Sequence, residues 1–240
     1  MSEIAYVPRP AIQTSGVPGS RRHSTLVRIT HWIFALSFFG LAVSGVAIIL
    51  AHPHFYWGET GGTGTPSLFD LPLTTMLGGP SGWGRSLHFL AAWMAVLTGL
   101  LYVVSGIVTQ HFRRRLLPSL ADLSWHSFRA SVLDHLRFRR PVVEDSYNVI
   151  QRLSYLTVIF LLFPLTIITG LAMSPVITSV IPQVVTIFGG HQSARTIHFF
   201  LADLLFLFLL VHIAMVILAG FASRMRAMIT GRAPVRKELA

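Results

Sequence analysis

The sequence predicts an all-α integral membrane protein, a four-helix transmembrane bundle, and two observations carry that prediction. The 240 residues are 52% hydrophobic and only 12% charged, with a mean hydropathy of +0.63, a balance that few soluble chains have. The apolar residues also gather into four runs, at about 29–51, 87–111, 153–173 and 197–222, each near or above the ~20 residues that cross a bilayer as a helix.

Before the first run, residues 1–27 carry Pro8, Pro10, Gly16, Pro18 and Gly19 and no apolar core, which predicts a disordered tail and not a cleaved leader. Residues 28–222 then form the membrane domain, and 223–240 a basic tail. Arg21, Arg22 and Arg28 precede the first run; Arg113, Arg114, Arg115, Arg129, Arg137, Arg139 and Arg140 fill the loop between the second and third; Arg224, Arg226, Arg232, Arg236 and Lys237 follow the fourth. The loops near 52–86 and 174–196 hold only Arg85 and Arg195. By the positive-inside rule both termini and the middle loop are cytoplasmic. The net charge of +10 therefore reports topology and anionic headgroups of the lipid bilayer, with no nucleic acid expected as partner.

Among the connections, the middle loop spaces Leu116, Leu120, Leu123, Trp125, Phe128 and Leu133 between its arginines, so an interfacial helix and a solvated basic loop both fit. The loop at 52–86 is long for a connector and carries Trp57, Glu59, Phe69 and Asp70. It reads as a lid or docking surface, or as a plain ordered loop. Pro164 and Pro175 are expected to kink and end the third span.

The chain has no cysteine, which removes thioether-attached haem, cysteine-held iron–sulfur clusters and disulfides. Its seven methionines are scattered as core fillers. Of eleven histidines, His23, His52, His54, His111, His126, His135 and His191 fall in tails, loops or span ends and read as solvated. His31, His88, His198 and His212 lie within the spans, where ionisable side chains are costly and functional by default.

Three of these four follow an arginine by three residues: Arg28-Ile-Thr-His31, Arg85-Ser-Leu-His88 and Arg195-Thr-Ile-His198. Residues three apart share a helix face, so each pair offers an imidazole in the membrane and a guanidinium one turn nearer water. That suits a haem, as axial iron ligand and propionate partner. His198 and His212 are fourteen residues apart, hence within ~40° of each other and ~21 Å apart along one helix. Topology then pairs His88 with His198 near the outer face and His31 with His212 near the inner, giving two bis-histidine metal sites and two b-type haems stacked across the bilayer.

On this reading Arg85 and Arg195 edge the outer haem and Arg28 the inner one. Gly45 and Gly99 either admit a flat macrocycle or let helices pack closely. Asp203, in the fourth span, is expected to pair with Arg85 or Arg195, to serve a proton path, or to stay protonated.

These residues also carry a resemblance. Arg28-x-x-His31-Trp32, Arg85-x-x-His88, Tyr147-Asn148-x-x-Gln151, Arg195-x-x-His198 with His212, and the run His52-Pro53-His54-Phe55-Tyr56-Trp57-Gly58-Glu59 make the chain similar, over all four spans, to the bacterial diheme b-type cytochromes. Those proteins are membrane subunits of nickel–iron hydrogenases, formate dehydrogenases and thiosulfate-reductase-like molybdoenzymes.

The resemblance implies a multi-pass subunit of the bacterial inner membrane that passes electrons between the quinone pool and a periplasmic oxidoreductase. It also implies a quinone site at Asn148 and Gln151 near the inner haem, although those residues also suit a helix start capped by Asp145 or Ser146. Two other readings stay open: a stand-alone superoxide:quinone oxidoreductase, and a four-span channel or transporter with proton- or metal-moving histidines. A homodimer is left open.

Overall fold

A computed structural model describes residues 24–62, 64–72, 82–113, 117 and 149–232. The apolar runs are helical. Three spans are single helices: α1 (Thr25–Ala51), α2 (Gly82–Val108) and α7 (His191–Leu218). The third is composite, with α3 (Val149–Thr157), a π-helical turn over Val158–Leu162, and α4 (Phe163–Ala172). Each of the four is long and apolar enough to cross a membrane.

The helices overrun the apolar runs at their starts. Ser24 begins α1, its Oγ accepting the Val27 N–H at 3.3 Å, because a serine side chain satisfies an amide that the first helical turn leaves free. The helix thus starts inside the stretch assigned from sequence to the tail. The leucine-rich middle loop and Asn148 lie outside the described residues.

Pro164 widens the third span instead of breaking it. It has no amide hydrogen and its ring crowds the carbonyl four residues back; the Phe163 N–H accordingly bonds the Val158 carbonyl, one residue further than in an α-helix. Pro175 opens α5 (Pro175–Val180) in the first turn, where a missing N–H costs nothing. A short α6 (Gln183–Thr186) follows, and beyond the fourth span α8 (Phe221–Thr230) is a separate helix within the region expected as tail.

The spans pack as two antiparallel pairs, α1 with α2 and α4 with α7. Small residues set the first: a Cβ on Gly40 would lie 3.2 Å from that of Ala91, and one on Gly84 3.1 Å from that of Ala47. In lipid such close backbone approach replaces the hydrophobic drive that holds helices together in water. The outward faces are large and apolar, among them Leu36, Phe39, Leu90, Leu97, Leu207 and Leu210. Between the two pairs bridging is done by side chains: Phe34 meets Phe163 edge-on at 5.0 Å and Phe112 meets Phe160 at 5.3 Å.

At the end of the bundle where α1 finishes and α7 begins, the 52–72 loop is ordered as a clamp. Strands β1 (His54–Phe55) and β2 (Phe69–Asp70) pair antiparallel, and Phe55 stacks on Phe69 at 4.8 Å and packs on Phe199 at 4.5 Å. The first amides of α7 are satisfied by this loop. Gln192 and Ser193 N–H donate to the Gly58 carbonyl at 3.0 and 3.3 Å, and His191 N–H donates to Glu59 Oε2 at 3.3 Å, the arrangement a helix N-terminus favours. Gly58 N–H donates to Ser193 Oγ, and Thr196 Oγ1 to the Tyr56 carbonyl, both at 2.7 Å.

Gly190 makes the seat. Its φ is +122°, and a Cβ there would fall 2.3 Å from the Gly58 oxygen. The described part of this loop is ordered and docked onto the fourth span.

Candidate functional site, a pair of tethered histidines

Near the clamped end, α2 and α7 bring His88 and His198 together. Their ring centres are 6.3 Å apart with the planes at 65°. Each ring is held from behind. His88 Nδ1 lies 2.9 Å from Ser44 Oγ. His198 Nδ1 lies 3.0 Å from Thr169 Oγ1 and 3.0 Å from the Thr166 carbonyl. Gly170 opens the space beside it, since a Cβ there would meet His198 Cε1 at 3.4 Å.

These contacts fix the proton. A carbonyl only accepts, so His198 Nδ1 must carry the hydrogen. Ser44 Oγ spends its own hydrogen on the Gly40 carbonyl at 2.7 Å, so it too accepts from His88 Nδ1–H. Both imidazoles therefore keep an Nε2 lone pair for a metal.

At the opposite end His31 and His212 lie at matching depth, each about two turns from its helix end. His31 meets Trp32 edge-on at 5.5 Å, and the Trp32 indole N–H donates to the Met228 carbonyl at 3.3 Å, tying α8 beneath α1. His212 stacks on Phe208 at 6.1 Å. Arg28 stands one turn before His31, and its Nε is buried with no acceptor among the described residues. Gln151 sits half-buried in the first turn of α3.

Two expectations need correcting. Arg195 does not point a free guanidinium at the histidine pair. It donates to the His52 carbonyl and to Gln192 Oε1 and lies over the Phe55 ring at 5.0 Å, because the docked loop offers it a carbonyl and an aromatic face. Asp203 pairs with neither Arg85 nor Arg195; it stands exposed near the midpoint of α7, more than a turn from either arginine's end of the bundle.

Arg85 is exposed at the mouth of α2. His52 links the two arginines: burial, then the charges of Arg195 and Arg85, push its imidazole below the ordinary value and keep it neutral. His54 and His191, expected as solvated, have exposed side chains and are also partnered, with Asp70 at 2.8 Å and Glu59 at 3.6 Å. The glycines separate as well. Nothing lies within 4 Å of a Cβ on Gly45, whereas one on Gly99 would touch Phe34 at 3.8 Å, so Gly45 borders open space and Gly99 serves helix packing.

Two comparisons with known proteins find matches. The family described as prokaryotic cytochrome b561 matches residues 22–231. The chain belongs to that family. A relative from Azospira oryzae, the "Putative protein-methionine-sulfoxide reductase subunit YedZ1", is 30% identical over 197 residues, which is 82% of this chain and 90% of the relative. No solved structure matches. As a prokaryotic cytochrome b561 the chain is a multi-pass inner-membrane protein of electron transport that binds b-type haem.

The residues present fit that group. Two metal–imidazole bonds of about 2 Å each, with about 1.1 Å from each nitrogen to its ring centre, add to the 6.3 Å observed between His88 and His198. Among the described residues no three metal-ligating side chains converge; an iron held in a macrocycle needs only two axial ligands. At the other end the orphaned Arg28 Nε fits an anionic propionate, since a buried donor without an acceptor costs about 1–3 kcal/mol.

Sequence reasoning missed Ser44, Thr166, Thr169 and Gly170. Hydroxyl residues inside membrane helices commonly bond their own backbone, so a lone serine or threonine in a span carries no signal until its cross-helix neighbour is known.

Proposed function

We propose that this cytochrome carries two bis-histidine haems, His88/His198 toward the outside and His31/His212 toward the cytoplasm, and passes electrons between the quinone pool and an extracytoplasmic oxidoreductase. The orientation rests on the arginine distribution. The observation that carries the reading is the facing His88–His198 pair, each ring a held Nδ1–H tautomer.

Bound there, haem supplies reversible one-electron carriage. The chain supplies the rest. The four histidines ligate, Arg28 neutralises acidic substituents at the cytoplasmic site, Arg85 does the same at the outer one, and the clamped loop excludes water from the outer pair. Gln151, with Asn148 three residues before it in sequence, would hydrogen-bond a quinone carbonyl at the cytoplasmic edge.

The Azospira relative is named as a subunit of a protein-methionine-sulfoxide reductase, and we take an oxidoreductase of that class as the partner. Two electrons and two protons from a quinol balance reduction of one sulfoxide to thioether and water. The superoxide alternative would draw an anion to Arg85 and Arg195 at the outer face, and it loses ground because Arg195 is engaged by the loop.

The test is reduced-minus-oxidised spectroscopy of the purified protein. Two haems per chain, reducible by a soluble quinol analogue and reoxidised by a co-purified reductase with methionine sulfoxide, are expected. A colourless protein, or one whose haems ignore quinol, would sink the proposal.

A further inference from the structure

Spans one and three contain the same device built twice. In α1 the Ser44 hydroxyl donates back to the Gly40 carbonyl at 2.7 Å, and it receives His88 Nδ1–H at 2.9 Å. In α4 the Thr169 hydroxyl donates back to the Leu165 carbonyl at 2.9 Å, and with the Thr166 carbonyl three residues earlier it receives His198 Nδ1–H.

In each case a hydroxyl that bonds the carbonyl four residues back in its own helix faces one imidazole Nδ1 on the neighbouring helix. Both hydroxyl residues are 0% exposed, deep in segments where an unneeded polar side chain has no reason to be. The third span has no histidine among the residues expected to ligate, and this contact gives it a role at the metal site.

We infer that Ser44 and Thr169 are positioning residues of the outer site, holding its two axial histidines as Nδ1–H tautomers and setting their donor strength. The inference rests on the bis-histidine reading above and deepens it.

The chemistry is that of outer-shell acceptors on metal-bound imidazole. An acceptor on Nδ1–H raises the basicity of Nε2 and fixes the ring plane. A more basic ligand favours ferric over ferrous iron, so the two hydroxyls hold the outer potential down. The Thr166 carbonyl at His198 cannot be mutated, which leaves the two hydroxyls as the adjustable contacts.

The experiment compares Thr169→Val, which keeps volume and loses the acceptor, and Ser44→Ala, with Thr169→Ser and Ser44→Thr as conservative variants, all in the full-length haem-loaded protein. Redox titration followed by absorbance, and low-temperature electron paramagnetic resonance, are the readouts. Each acceptor-deleting variant is expected to move the outer haem about threefold toward ferrous, roughly 30 mV upward for one electron, to change its resonance signature, and to leave the cytoplasmic haem unmoved. The conservative variants should restore both.

Unchanged potential and resonance in Thr169→Val and Ser44→Ala, with both haems bound, would overturn the inference while leaving the bis-histidine reading intact. Absence of the outer haem from the unmutated protein would overturn that reading itself. If Ser44→Ala fails to fold, Ser44→Cys, a weak acceptor of similar size, decides the same question.

Discussion

The two ends of the bundle are built differently. At the clamped end, His88 and His198 are tethered by two hydroxyls and one carbonyl, and the loop is locked onto the start of α7 by Gly58, Glu59 and Tyr56. At the terminal end, His31 and His212 have aromatic neighbours in Trp32 and Phe208, and Arg28 keeps a buried donor unspent. The histidine pair of the clamped end is held by the protein alone. The terminal end keeps an Arg28 donor without an acceptor among the described residues, which on the proposed reading its ligand would meet.

The comparison breaks most visibly at the ligands. His198→Ala or His88→Ala should lower haem content from two to one per chain and abolish only the outer redox step, while His31→Ala or His212→Ala should abolish only the inner; pyridine haemochrome assay with redox titration reads both. If any one substitution removed both haems, the two ends would not be independent.

Next in size is Gly190→Ala. A non-glycine residue at that φ, with its Cβ against the Gly58 carbonyl, costs about 1–3 kcal/mol. The loop should undock, seen as new proteolysis between residues 56 and 68 and a lower thermal midpoint, with the inner haem spectrum unchanged.

Arg28→Gln sharpens the inner half. Losing a partly buried cation of about 1 kcal/mol should lower the inner potential by roughly 40 mV and leave the outer one in place. Arg195→Gln should act chiefly on loop docking, because its guanidinium is spent on His52 and Phe55.

The smallest effect belongs to the strand pair. The hydrogen bonds from His54 and Ser67 hold Asp70 below its ordinary value of 3.8. A depressed carboxylate stabilises above its unfolded pKa and loses that contribution as pH falls through the folded one. Acid loosening of the hairpin is therefore expected only below about pH 4, and Asp70→Asn should remove that acid dependence, measured as loop proteolysis against pH.

Much of this was legible in the chain. Four spans follow from apolar run length, because a bilayer admits only helices that satisfy their own backbones. The four histidines stand out because charge-capable groups in lipid need a reason. Fourteen-residue spacing on one helix put His198 and His212 at two depths before any coordinates. Pro164 announced a disturbance in the third span, though not that it would be a π turn.

Other features depend on which helices become neighbours, and periodicity within one helix does not contain that. Ser44 is an ordinary back-bonded serine until α2 brings His88 to 2.9 Å, and Thr169 is one until α7 brings His198. The diversion of Arg195 to the loop, the opposite fates of Gly45 and Gly99, and the isolation of Asp203 were likewise decided across helices. The sequence by itself determined the class, the spans and the candidate ligands, since those follow from transfer to lipid and helical repeat. Only the tertiary structure decided which polar groups hold the ligands and how the loop closes over them, because a hydrogen bond between spans depends on tenths of an ångström in helix packing.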